Sequence, residues 1–118
     1  MERVIIVGYS DQELDRIVQE YAEKALAFRI GMRSVREGNI CHISVGEDIL
    51  SPKVIQGYAD VLMTKTADQA AYMISYLSPS GRVIVEEQDG DDPESRRYKR
   101  HEMWEYLKKQ VPNLSNID

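Results

Sequence analysis

The segment Gly8-Tyr9-Ser10-Asp11-Gln12-Glu13 follows the apolar run Val4-Ile5-Ile6-Val7 and leads into a helical pattern. A strand that turns directly into a helix is where an α/β protein can cradle a phosphate. Such a turn needs glycines, so that backbone N–H groups reach the anion and the helix packs closely. Gly8 is the one glycine of this turn, and Asp11 and Glu13 place negative charge where a phosphate would sit. Capping accounts for the same residues without a ligand. Ser10 can accept from the first turn, Glu13 stands at the capping-box spacing, and both acids suit the positive end of the helix dipole. Capping is the favoured reading, with Gly8 and Gln12 kept as candidate ligand contacts.

Arg33 and Arg36 are three apart in Arg-Ser-Val-Arg-Glu-Gly, placed in a loop just before a strand. Such a pair can grip a carboxylate or phosphate, although surface ion pairing is the simpler use. Cys41 and His42 are neighbours on a strand and so point to opposite faces. That geometry excludes a Cys–His catalytic pair, and no metal-ligand spacing surrounds them. Cys41 reads as a small core residue, and His101, in a basic stretch, as solvated. No residue is assigned a catalytic or metal-binding role.

The elements that must position these residues follow from periodicity. Residues 3–7 read as a strand buried on both faces. The next helix has Leu14, Ile17, Val18, Tyr21, Ala22 and Ala25 on its inner face. Phe28 to Met32 is expected as a short strand and Ile40 to Val45 as a longer one. Ser51-Pro52 predicts one helical turn over 52–56. Val61 to Thr64 is a strand. Thr66 caps a helix with Gln69 at the capping-box position and Ala67, Ala70, Ala71, Ile74 and Leu77 inside. Pro79 and Gly81 end that helix, and Val83 to Val85 is a further strand. Strand and helix alternate, so the fold expected is α/β: a single three-layer domain of Rossmann-like type, its mainly parallel sheet flanked by helices on both faces.

The tail departs from this pattern. Six acids fall within residues 86–94, and a basic helix is predicted over 93–111 with Met103, Trp104, Leu107 and Val111 on one face. That face is expected to bury against the sheet or a second copy of the chain, which makes Met103, Trp104 and Leu107 the candidate interface residues. The chain is therefore divided into residues 1–90, the α/β domain, and 91–118, the charged terminal helix.

Composition excludes several function classes. With 118 residues, 42% hydrophobic and 30% charged, the chain suits one globular core. No apolar run approaches the roughly 20 residues of a membrane helix. A net charge of −5 opposes non-specific nucleic-acid binding. A single cysteine excludes an internal disulfide and a cysteine-ligated cluster. The chain enters a strand at once, with no signal peptide, and a cytoplasmic location is expected.

Residues 31–87 carry a resemblance. Met32-Arg33 is followed at a fixed distance by Ile43-Ser44, then Ser51-Pro52, then Ala59-Asp60-Val61-Leu62, then Gly81 to Val85. This order and spacing resembles the gamma subunit, or gamma domain, of 2-oxoacid:ferredoxin oxidoreductases, the pyruvate, 2-oxoglutarate and ketoisovalerate group, over about residues 1–88. Gly8 and Gln12 match that family's first glycine-rich loop, while Ser10, Asp11 and Glu13 stand where it has glycines. Ser34 and Val35 replace the two glycines after the arginine, and the family's C-terminal half has no counterpart. The resemblance implies a non-catalytic, accessory subunit that packs against the catalytic subunits. It implies no directly bound thiamine diphosphate or iron–sulfur cluster, and a link to coenzyme A handling. Two other readings stay open: a small module binding coenzyme A or a nucleotide near Gly8 and Arg33, and a self-associating regulatory domain without ligand.

Overall fold

The computed structural model describes residues 1–49, 51–86, 106–107, 109–111 and 115–116. The elements are β1 (Glu2–Val7), α1 (Asp11–Phe28), β2 (Gly31–Glu37), β3 (Ile40–Gly46), β4 (Ala59–Thr64), α2 (Ala67–Met73), a single 3₁₀ turn (Ile74–Tyr76), β5 (Leu77–Val85) and the two-residue β6 (Ser115–Asn116). They form one six-stranded sheet in the order β2-β3-β1-β4-β5-β6.

Three of the five pairings are parallel: β1 with β4, β4 with β5, and β5 with β6. The other two are antiparallel, because β2 and β3 form a hairpin that docks its second strand on β1. The sheet is therefore mixed. Along β3, Cys41, Ile43 and Val45 alternate with the polar His42 and Ser44, a pattern compatible with this antiparallel pairing, although the strand is buried on both faces.

The alternation of side chains along each strand sorts the core into two layers. Val4 and Ile6 of β1 join Cys41, Ile43 and Val45 of β3 beneath Leu14, Ile17 and Ala25 of α1. Ile5 and Val7 of the same strand join Leu62, Val83 and Val85 beneath Ala67, Ala70 and Met73 of α2. Leu107 and Val111 enter this second layer, both almost completely buried. The helices thus cover opposite faces, as expected of three layers. Leu107 faces its own sheet. Met103, Trp104, His101, the basic run 96–100 and most of the acidic run lie outside the described residues.

Local chemistry moves several boundaries. Helix α1 continues to Phe28, because Arg29 adopts the left-handed cap conformation at φ 57 and its N–H returns to Ala25 and Leu26. The strand expected at Phe28 to Met32 therefore runs over Gly31–Glu37. Arg33 and Arg36 lie on that strand instead of in a loop. Residues 52–56 make bends and a turn without a helix. There Ser44 Oγ donates to Pro52 O at 3.3 Å and Val54 N–H donates to His42 Nδ1 at 3.1 Å, so the segment is tied to β3. Helix α2 closes at Met73, and Leu77 begins a strand that pairs with Ala59. Gly81 allows the close pass at this point: a Cβ there would lie 2.8 Å from Ala59 O.

Candidate functional site

Strands β1 and β4 are parallel neighbours whose following helices lie on opposite faces of the sheet. The crevice beyond their C-terminal ends is the topological switch point, where open α/β sheets place ligands. Here it is lined by Gly8, Tyr9, Ser10, Glu13, Lys65, Thr66, Gln69 and Glu86.

Two capping boxes face each other across this crevice. Ser10 Oγ accepts from Glu13 N–H at 3.2 Å, and Glu13 Oε1 accepts from Ser10 N–H at 3.2 Å. Thr66 Oγ1 accepts from Gln69 N–H at 3.2 Å, and Gln69 Oε1 accepts from the N–H groups of both Lys65 and Thr66. The N–H groups of Ser10, Glu13, Lys65, Thr66 and Gln69 are thus taken by the chain's own side chains. Gly8 holds φ +82, and a Cβ added to it would lie 2.4 Å from Gln69 Nε2. The positive φ by itself accounts for glycine here, and the Gln69 amide packs against it. Gly8 N–H donates to Asn39 O at 3.0 Å, which joins the turn to the β2–β3 hairpin.

Lys65 stands at the centre. Its ammonium bonds Glu13, lies 3.5 Å from Glu86, and sits 4.5 Å from the centre of the Tyr9 ring. Burial disfavours the charge on Lys65, but its two carboxylate partners outweigh burial and hold the ammonium above its ordinary pKa. The Lys65 bond and the Ser10 donors hold the Glu13 carboxyl down at about 2. Burial, then the nearby Glu86 carboxylate, push the Tyr9 phenol well above its usual value, and its Oη makes no hydrogen bond of ordinary geometry. Among the described residues two carboxylates face the Lys65 ammonium, and Arg16 also acts on the Tyr9 phenol. An anion at Lys65 would compete with these two carboxylates.

The four residues offered as ligand contacts do not converge. Gly8 lines the crevice, and Gln12 is exposed on α1. Arg36 reaches α1 and pairs with Asp15 at 2.6 Å and Asp11 at 3.6 Å. Arg33 lies on the opposite face of β2, beside a shallow depression bordered by Arg29, Gly46 and Asp48. Strand alternation therefore separates the two arginines. Cys41 and His42 also take opposite faces; burial raises the Cys41 thiol and lowers the His42 imidazole. Among the described residues, no three His, Cys, Asp or Glu side chains are grouped as metal ligands, and no helix is long and apolar enough to cross a membrane.

Lys65 and Glu86 were missed at the level of sequence. Lys65 precedes a cap and Glu86 opens the acidic run, so neither carries a motif. Only the parallel pairing of β1, β4 and β5 brings them to Glu13.

No family model matches the chain, and no curated protein matches it in sequence. Among solved structures it is similar to pyruvate oxidoreductase subunit PORC from Thermotoga maritima, with a TM-score of 0.56 and 15% sequence identity. The match covers 99% of this chain and 61% of that one, so the chain spans about three-fifths of that subunit's length. At this identity the likeness is one of fold.

Proposed function

We propose that the chain is a non-catalytic, gamma-like accessory subunit of a 2-oxoacid:ferredoxin oxidoreductase, acting through the surfaces it offers to the catalytic subunits. The observation that carries this reading is the shared fold: 99% of the chain is covered by the match to a subunit of pyruvate oxidoreductase. The order of motifs from Met32-Arg33 to Gly81–Val85 supports it from the sequence side.

The switch-point crevice supports an accessory role over a ligand-binding one. Gln69 packs on Gly8, both helix starts are self-capped, and Lys65 is neutralised by Glu13 and Glu86. A nucleotide or coenzyme A would have to displace these contacts. In this reading the chain binds no cofactor itself, and works in the cytoplasm beside the subunits that do.

Affinity purification of the tagged full chain from its native host tests the proposal. Thiamine-dependent oxoacid oxidoreductase subunits should co-elute in fixed ratio, and deletion of the chain should lower oxoacid-dependent ferredoxin reduction in extracts. A chain that elutes without such subunits, together with unchanged activity after deletion, overturns it.

A further inference from the structure

Strand β2 ends the sheet, and among the described residues nothing pairs with its outer edge. It is seven residues long, contains no proline, and is only partly buried. A free edge of this kind is a template for another strand unless something blunts it. We propose that β2 pairs antiparallel with β2 of a second copy of this chain, centred on Val35, to make one continuous sheet across a two-fold axis.

The register follows from the hairpin. Glu37 and Ile40 flank the two-residue turn Gly38-Asn39, where Gly38 takes φ +59. In such a turn the flanking pair exchanges hydrogen bonds. Alternation then points the N–H and C=O groups of Arg33, Val35 and Glu37 at β3, and those of Met32, Ser34 and Arg36 outward. A two-fold pairing must oppose outward groups to outward groups, which restricts the centre to a residue rather than a gap between residues. Centring on Arg33 or Arg36 opposes an arginine to itself. Centring on Ser34 sets Arg33 against Val35. Centring on Val35 sets Arg33 against Glu37 twice, once at each end, and Val35 against its own counterpart.

The side chains stand on the face where these contacts form. Arg33, Val35 and Glu37 share the face away from α1. Arg33 is exposed and makes no ion pair among the described residues, whereas Arg36, on the other face, is held by Asp15 and Asp11. Glu37 bonds Lys53 at 2.5 Å and stays about half exposed. The charge sequence Arg-x-Val-x-Glu is self-complementary when reversed on its centre, the property an isologous interface needs. A second copy of the chain therefore fits this edge better than an unrelated strand. The inference does not depend on the accessory-subunit reading.

Sedimentation of the full chain over a range of concentrations tests it. The wild-type chain should form a dimer. Arg33→Glu sets the introduced carboxylate against Glu37 of the other copy and should weaken the dimer about tenfold or more. The double exchange Arg33→Glu/Glu37→Arg should recover it. Val35→Cys should form an intermolecular disulfide on mild oxidation, since Cys41 is fully buried and does not compete. A wild-type chain that stays monomeric, a dimer indifferent to Arg33→Glu, or a double exchange weaker than the single one overturns the proposal.

Discussion

At the scale of single residues, the Lys65 cluster converts a loop position into an electrostatic tie between β1, α1 and β5. Its pH dependence has a definite sign. Glu13 titrates near 4.5 when unfolded and about 2 when folded. A carboxyl depressed in this way contributes stability above pH 4.5 that is lost as pH falls toward 2. Lys65→Met removes the main cause of the shift, so the acid limb of the stability profile should flatten between those values. Denaturant titrations across that pH range check this, and an unchanged acid limb refutes it. Gly8 carries a different constraint. Gly8→Ala forces a Cβ into the left-handed region and against Gln69, and should cost about 1–3 kcal/mol. Gln69→Ala in the same chain should return only the part due to the clash, because the backbone conformation remains. A double-mutant cycle on unfolding free energy separates the two.

At the scale of elements, the helices owe their starting points to short-range chemistry. Helix α1 begins where Ser10 and Glu13 exchange bonds, and α2 where Thr66 and Gln69 do. Ser10→Ala should destabilise the fold by about 1 kcal/mol and loosen the first turn of α1, while Leu14, Ile17 and Ala25 still anchor the rest of its inner face. Thermal unfolding with the helical circular dichroism signal reads both effects. Strand β5 shows the reverse, an element set from outside. Leu77 fits the apolar period of the preceding helix, yet it pairs with Ala59, and the shift in register between Ala59 and Val61 absorbs the residues around Pro79 and Gly81.

At the scale of the whole molecule, the two-layer core decides what the C-terminal residues do. Leu107 is fully buried with Val83, Val85 and Met73 on the α2 face. Leu107→Ala should therefore cost about 2–5 kcal/mol in unfolding free energy. That loss should be the same at every protein concentration, because the contact is within one chain. A concentration-dependent loss would instead place Leu107 between copies. Self-association is assigned to the other side of the sheet, at β2, so Leu107→Ala and Arg33→Glu should act on separate measurements.

Much of this was legible along the chain. The strands at 3–7, 40–45, 61–64 and 83–85, the two capping boxes and the opposite facing of Cys41 and His42 all depend on neighbours within a few residues. Local spacing determines them because capping, alternation and helical period are local rules. The tertiary structure alone decided the rest. It turned β3 antiparallel on β1, since burial on both faces of a strand does not by itself fix its direction. It placed Arg33 and Arg36 on opposite faces of an edge strand, through a helix end at Arg29 that no residue type announces. It also assembled Glu13, Lys65 and Glu86 into the switch point. Residues 13, 65 and 86 are tens of positions apart, and only the hydrogen-bonded register of the sheet makes them neighbours.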